Sequence, residues 1–104
     1  MDNFFTVGKD GDFQEGQVRR LAVDGEDIAL VRRGQEILAF QDLCTHDDGP
    51  LAEGTLEGDA IECPRHGARF SIRTGEVLAM PASHPIKTYP VKVEAGEVKV
   101  RLSR

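Results

Sequence analysis

Short apolar runs alternate with glycine-containing turns along the whole chain, and no segment repeats apolar residues at the spacing of a helix. Strands are predicted at residues 4–7, 17–23, 28–31, 37–40, 55–57, 60–62 and 69–72. Asp24-Gly25 is a strong signal for a two-residue hairpin turn. Near the C-terminus apolar and charged residues alternate around Ala95-Gly96, which predicts an antiparallel pair with one buried and one solvated face. The apolar positions of that pair are Val91, Val93, Val98, Val100 and Leu102.

Many short strands joined by frequent turns are typical of an all-β sandwich or barrel. The chain has 104 residues, a length that predicts one domain spanning residues 1–104. We find no internal repeat, low-complexity tract or linker in the sequence.

Composition and charge narrow the classes of partner. The formal net charge is −5, which argues against nucleic acid as the main partner because duplex binding needs a basic face. No stretch reaches the roughly 18 uninterrupted apolar residues of a membrane span. The first residues resemble no signal peptide, so we expect a cytoplasmic protein. Asp47 and Asp48 beside His46 lie in an acidic middle segment, which could form a docking face for a basic partner; plain solvation is the commoner role of such charge.

Two short segments concentrate metal-binding side chains. Cys44-Thr45-His46 and Cys63-Pro64-Arg65-His66 contain both cysteines and two of the three histidines of the chain. Sixteen residues separate His46 from Cys63, and each pair follows a strand-like run. The third histidine, His84, has no cysteine beside it, so we expect it to be solvent-facing or locally hydrogen-bonded.

Three kinds of chemistry fit two cysteines and two histidines. A structural zinc ion would use all four ligands tetrahedrally. A disulfide between Cys44 and Cys63 would leave the histidines unexplained, and a cytoplasmic setting disfavours it. A [2Fe–2S] cluster would take two cysteines on one iron and two histidines on the other. Because each segment supplies one cysteine and one histidine, the order of the ligands suits two metals better than one.

The two segments together resemble the Rieske iron–sulfur signature, C-x-H followed after sixteen residues by C-x-x-H. The chain is most similar to the small Rieske-type ferredoxins of bacterial aromatic-ring dioxygenase systems. The resemblance extends to residues 57–59, 73–77 and 80–85, and so covers essentially the whole chain.

This resemblance implies a Rieske fold, in which an antiparallel β-sandwich base carries a small cluster-binding subdomain, here about residues 43–81, with residues 81–85 covering one side of the cluster. It implies one [2Fe–2S] cluster per chain, held by Cys44, His46, Cys63 and His66. The implied function is one-electron transfer, without enzymatic activity of its own, from an NAD(P)H-dependent flavoprotein reductase to a terminal oxygenase. A monomer is expected, since a carrier must bind and leave two partners.

Departures from the wider superfamily refine the expectation. Respiratory Rieske proteins carry a disulfide between the two ligand segments, at positions that are Gly49 and Arg65 here, so this bridge cannot form. They also place hydroxyl donors where this chain has Ala68 and Phe70, and losing those donors implies a potential near the low end of the Rieske range, about −150 mV.

Two alternatives remain open. The chain could be the small Rieske subunit of an NADH-dependent nitrite reductase. A structural zinc-binding module is the alternative from a different class, and it would be colourless where an iron–sulfur protein is red-brown.

Overall fold

The computed structural model describes residues 4–45, 49–65 and 67–102. Within these ranges the chain forms eleven β-strands and one 3-10 turn at Asp10–Asp12. The strands are β1 (Phe4–Lys9), β2 (Val18–Val23), β3 (Glu26–Arg33), β4 (Glu36–Gln41), β5 (Thr55–Glu57), β6 (Ala60–Glu62), β7 (Arg69–Ser71), β8 (Val77–Ala79), β9 (Thr88–Tyr89), β10 (Val91–Glu94) and β11 (Glu97–Arg101). The all-β prediction is confirmed.

The strands form three antiparallel sheets. The outer sheet has the order β1-β11-β10 and the central sheet the order β2-β3-β4-β9. The inserted sheet has the order β5-β6-β7-β8 and lies in sequence between β4 and β9 of the central sheet. It therefore falls within residues 43–81, where we expect the cluster-binding subdomain; the limits of that subdomain and the single-domain organisation stay predictions.

Two-residue turns set the register of the hairpins at both ends of the chain. Asp24 and Gly25 both have positive φ, 47° and 86°, and they join β2 to β3. Ala95 and Gly96 have φ of 53° and 78° and join β10 to β11 in the same way. Paired left-handed residues twist the chain as the flanking strands require, so both predicted hairpins are confirmed.

Strand β3 of the central sheet is buried on both faces. Ile28 and Leu30 of β3 lie in a core shared with Val98 and Val100 of the outer sheet, which closes the β-sandwich. Their neighbours Ala29 and Val31 point to the opposite face, because side chains alternate along a strand. They lie in a second core that contains both cysteines. The uninterrupted apolar run at residues 28–31 thus reflects a strand with no solvated face.

The predicted alternation at the C-terminal hairpin is correct for β11 and wrong for part of β10. Val98, Val100 and Leu102 are buried, whereas Val93 is 47% exposed. β11 lies between β1 and β10, but β10 is at the edge of the outer sheet, and Val93 borders an open groove. A valine at an alternating position is buried only where another element covers it, and that depends on the tertiary arrangement.

Strands β8 and β9 have no counterpart in the sequence prediction. They are three and two residues long, and they form by pairing with β7 and β4, respectively. In the part of the chain that the structure describes, no helix is long and apolar enough to span a bilayer.

Candidate metal centre

The two cysteines lie in one apolar core although nineteen positions separate them in sequence. Cys63 directly follows β6, and Cys44 comes three residues after the end of β4. Their exposed fractions are 1% and 0%, and neither forms a disulfide. Two buried thiols that no disulfide joins, in a core of apolar side chains, suit a soft metal centre.

Equivalent hydrogen bonds close the two ligand loops. The Cys44 amide donates to the Gly49 carbonyl at 2.8 Å, and the Cys63 amide donates to the Ala68 carbonyl at 2.7 Å. We call residues 44–49 the first loop and residues 63–68 the second loop. In each loop the bond joins residues five apart in sequence and encloses the predicted histidine. Gly67, with φ of 78°, provides the left-handed residue that the second loop needs to turn back.

The two predicted histidine ligands, His46 and His66, lie outside the described residues. Within residues 4–45, 49–65 and 67–102, no group of three or more His, Cys, Asp or Glu side chains is placed to hold a metal ion. The four-ligand set therefore stays a prediction, of which the structure describes the buried cysteines and the closures of both loops.

A buried carboxylate closes the base of the first loop. Asp42 Oδ1 accepts the amide N–H groups of Leu51 at 2.8 Å and Ala52 at 2.7 Å. Asp42 Oδ2 accepts from Arg20 Nε at 2.9 Å, and the Asp42 side chain is only 2% exposed. Sequence reasoning missed this residue, because an aspartate after a strand usually lies in a solvated turn.

A third segment lies against the first loop. Thr45 Oγ1 donates to the His84 carbonyl at 2.6 Å, and Ala82 and Ile86 are buried in the core that contains the cysteines. The His84 side chain is exposed, and its Nδ1 lies 3.2 Å from Ser83 Oγ. The segment predicted to cover the cluster is thus hydrogen-bonded to a ligand loop through its backbone.

Close packing joins the chain after the first loop to the strand before the second. A Cβ at Gly54 would lie 1.9 Å from the Glu62 carbonyl oxygen, so only glycine permits this approach. The contact places residue 54 directly against the residue that precedes Cys63. No local signal marks this glycine, since its φ lies outside the left-handed region and its partner is eight residues away.

On the same core, Ala68 and Phe70 are both fully buried beside the cysteines. Neither side chain carries a hydroxyl, so at these positions the surroundings of the cysteines offer apolar contact and no side-chain hydrogen bond. Burial raises the free-energy cost of any charge placed there. It therefore disfavours the additional negative charge of a reduced metal centre.

An ion-pair group connects the inserted sheet to the central sheet. Arg73 donates to Glu36 Oε1 and to Asp59 Oδ2, both at 2.8 Å. Hydrogen bonding to Arg73 lowers the pKa of the Glu36 and Asp59 carboxyls below their ordinary values of 4.5 and 3.8. Because Glu36 belongs to β4 and Asp59 to the β5–β6 turn, the group links the two sheets at the protein surface.

A family model described as the Rieske [2Fe-2S] domain matches residues 3–90. The chain belongs to the Rieske [2Fe–2S] domain family. Membership supports a [2Fe–2S] cluster as its cofactor, and the two buried cysteines on paired loops fit that group by donor chemistry.

Relatives of this Rieske chain include the ferredoxin component of the naphthalene 1,2-dioxygenase system of Pseudomonas putida, 45% identical over 92 residues, which are 88% of each chain. The biphenyl 2,3-dioxygenase ferredoxin component of Rhodococcus jostii is 42% identical over 88% of this chain and 86% of its own length. Among solved structures, a chain from a complex of reduced oxygenase and oxidized ferredoxin in carbazole 1,9a-dioxygenase aligns with a TM-score of 0.88. That chain is 39% identical, and the alignment covers 94% of this chain and 92% of the other.

Proposed function

We propose that this Rieske protein is a ferredoxin that carries single electrons from an NAD(P)H-dependent flavoprotein reductase to a terminal oxygenase. The observation that carries the proposal is the similarity, over 88% of the chain, to ferredoxin components of dioxygenase systems. A solved ferredoxin–oxygenase complex among the structural neighbours supports an oxygenase as the electron acceptor. The chain is thus an electron-transfer component, and oxygenation of a substrate belongs to its partner.

One cluster per chain is held, in this proposal, by Cys44 and Cys63 on one iron and by His46 and His66 on the other. When bound, a [2Fe–2S] cluster supplies reversible one-electron chemistry. The buried thiolates contribute two negative charges and the neutral imidazoles contribute none. Replacing two of four thiolates by histidine therefore removes two negative charges and makes reduction easier.

The surroundings of the cysteines set where in the Rieske range the potential lies. Side-chain hydroxyls near the sulfurs would stabilise the additional negative charge of the reduced state, but Ala68 and Phe70 provide none. We therefore place the potential near the low end of the range, about −150 mV. A low reduction potential suits a carrier that accepts its electrons from an NAD(P)H-dependent reductase.

The proposal includes the organisation of the chain. Residues 1–104 form a single Rieske domain, residues 43–81 form its cluster-binding subdomain, and the protein acts as a monomer in the cytoplasm. The inserted sheet at residues 55–79 and the two loop closures support these limits.

The ligand assignment is tested by EPR on anaerobically purified protein before and after dithionite. Wild-type protein should contain two irons and two sulfides per chain and give, only when reduced, a rhombic signal typical of mixed Cys/His ligation. His46→Ala and His66→Ala should abolish that signal, and His84→Ala is the matched control because His84 is exposed and bonded to Ser83.

Two outcomes would overturn the assignment. Loss of the cluster in His84→Ala would show that the ligand set is wrong. Stoichiometric zinc without iron, persisting after anaerobic reconstitution, would favour the zinc-binding module.

Electron transfer is then tested by adding the reduced protein to a purified dioxygenase of the naphthalene or biphenyl type and measuring reoxidation of the ferredoxin.

A further inference from the structure

One arginine crosses from the second loop to the end of the first. Arg65, two residues after Cys63, donates from Nη2 to the Pro50 carbonyl at 2.9 Å. A Cβ built on Gly49 would lie 2.6 Å from Arg65 Cζ, 2.7 Å from Nη2 and 2.8 Å from Nε. The guanidinium therefore rests on the Gly49 backbone, in space that a side chain would occupy.

Gly49 and Pro50 hold the two loops by adjacent carbonyl groups. The Gly49 carbonyl accepts the Cys44 amide, which closes the first loop. The next carbonyl, that of Pro50, accepts from Arg65 of the second loop. A continuous path of short contacts thus joins the backbone of Cys44 to that of Cys63, and it passes through the guanidinium.

This geometry uses the planar side chain of arginine and the missing side chain of glycine. A planar guanidinium can lie flat on a backbone and donate from its edge, whereas an ammonium is a compact charge with no flat face. Gly49 is not in the left-handed region, so an alanine there would suffer no backbone strain. What Gly49 provides is room.

We propose that Arg65 is a positioning residue that braces the two cluster loops against each other. In this proposal Gly49, which has no side chain, leaves the space that the guanidinium of Arg65 occupies. This inference rests on the proposed cluster site. Its consequence is that cluster retention and cluster geometry depend on a non-covalent contact between the loops.

The test compares the holoproteins of Arg65→Leu, Gly49→Ala and the double variant. Gly11→Ala is the control for added volume, since nothing lies within 4 Å of a Cβ there and its φ is also outside the left-handed region. Arg69→Leu is the control for loss of a positive charge in the same region, where the arginine pairs with half-exposed and exposed carboxylates. The readouts are the first-order rate at which visible absorbance bleaches in the presence of a chelator, and the EPR g-values of the reduced protein.

We expect Arg65→Leu and Gly49→Ala each to lose the cluster about three- to tenfold faster than wild type, the effect of losing one exposed hydrogen bond to a charged group. Both should shift the g-values, and the two controls should do neither. The double variant should bleach no faster than the more severe single variant, because both substitutions remove the same contact. Arg65→Lys should lose the cluster at a rate between those of wild type and Arg65→Leu. If Arg65→Leu fails to assemble a cluster, Arg65→Lys and Gly49→Ala provide the test.

Independent, additive effects in the double variant would overturn the brace, as would a Gly49→Ala protein that behaves like Gly11→Ala. These outcomes are distinct from failure of the proposed function. A wild-type protein without a Rieske EPR signal would remove the cluster assignment itself, whereas the variants test only how the loops are held.

Discussion

Asp42 gives the sharpest test of how the first loop is held. Its Oδ1 atom accepts two backbone amides, those of Leu51 and Ala52, and its Oδ2 atom accepts from Arg20. Truncation by Asp42→Ala removes all three acceptor contacts at once. The Leu51 amide would then be buried without a partner, since Leu51 has no exposed surface.

The magnitude follows from the burial of each group. A buried N–H left unsatisfied costs about 1–3 kcal/mol. The Ala52 amide is half-buried and loses less, and Arg20, whose side chain is 51% exposed, returns to water at a cost below about 1 kcal/mol. Together these contributions amount to about 2–4 kcal/mol. If the cluster leaves from a state in which the first loop is open, its release should accelerate about 30-fold or more, since 1.4 kcal/mol is about a factor of ten.

Bleaching of the visible absorbance in the presence of a chelator measures this rate on holoprotein. Asp42→Asn retains Oδ1 for both amides but places an NH₂ group against Arg20, so it should bleach more slowly than Asp42→Ala. Arg20→Met removes only the half-exposed partner and keeps both amide contacts of Asp42, so it should bleach more slowly than Asp42→Ala. A bleaching rate of Asp42→Ala within twofold of wild type would refute this role of Asp42, as would an Arg20→Met protein that bleaches as fast as Asp42→Ala.

Two further predictions concern acid stability and potential. Because Arg73 lowers the pKa of Glu36 and Asp59, their stabilising contribution is complete above their unfolded pKa values, 4.5 and 3.8, and is lost as the pH falls through the folded values. The thermal midpoint of wild type should therefore fall more steeply between about pH 5 and pH 3 than that of Arg73→Leu, and parallel curves would contradict this. The double variant Ala68→Ser and Phe70→Tyr should raise the reduction potential by about 40–90 mV, the equivalent of one or two hydrogen bonds of about 1 kcal/mol each. An unchanged potential in voltammetry would show that these positions do not donate to the reduced site.

Much of the strand architecture could be predicted because its signals are local. Alternation of apolar and charged residues around Ala95-Gly96 specifies an antiparallel pair, and two left-handed residues specify its turn. The exposure of Val93 could not be predicted in the same way. Alternation says which face of a strand is apolar, but only the packing of other elements decides whether that face is covered.

The candidate ligands could also be chosen from the sequence, because metal ligation depends on the identity of a few side chains at short spacing. Cys44 and Cys63 are both buried in one core, as that choice requires; His46 and His66 lie outside the described residues, so their role stays a prediction. The family assignment rests on the same local pattern and is confirmed by the match over residues 3–90.

What holds the ligand loops together was decided by the tertiary structure alone. The sequence shows that Gly49 and Arg65 cannot form a disulfide, but it does not show that the arginine lies on the glycine. It likewise gives no sign that Asp42 is buried beneath the first loop. Ligand identity is a property of single residues and their spacing, whereas a brace or a buried acceptor depends on which distant backbone groups the packed sheets bring within hydrogen-bonding distance.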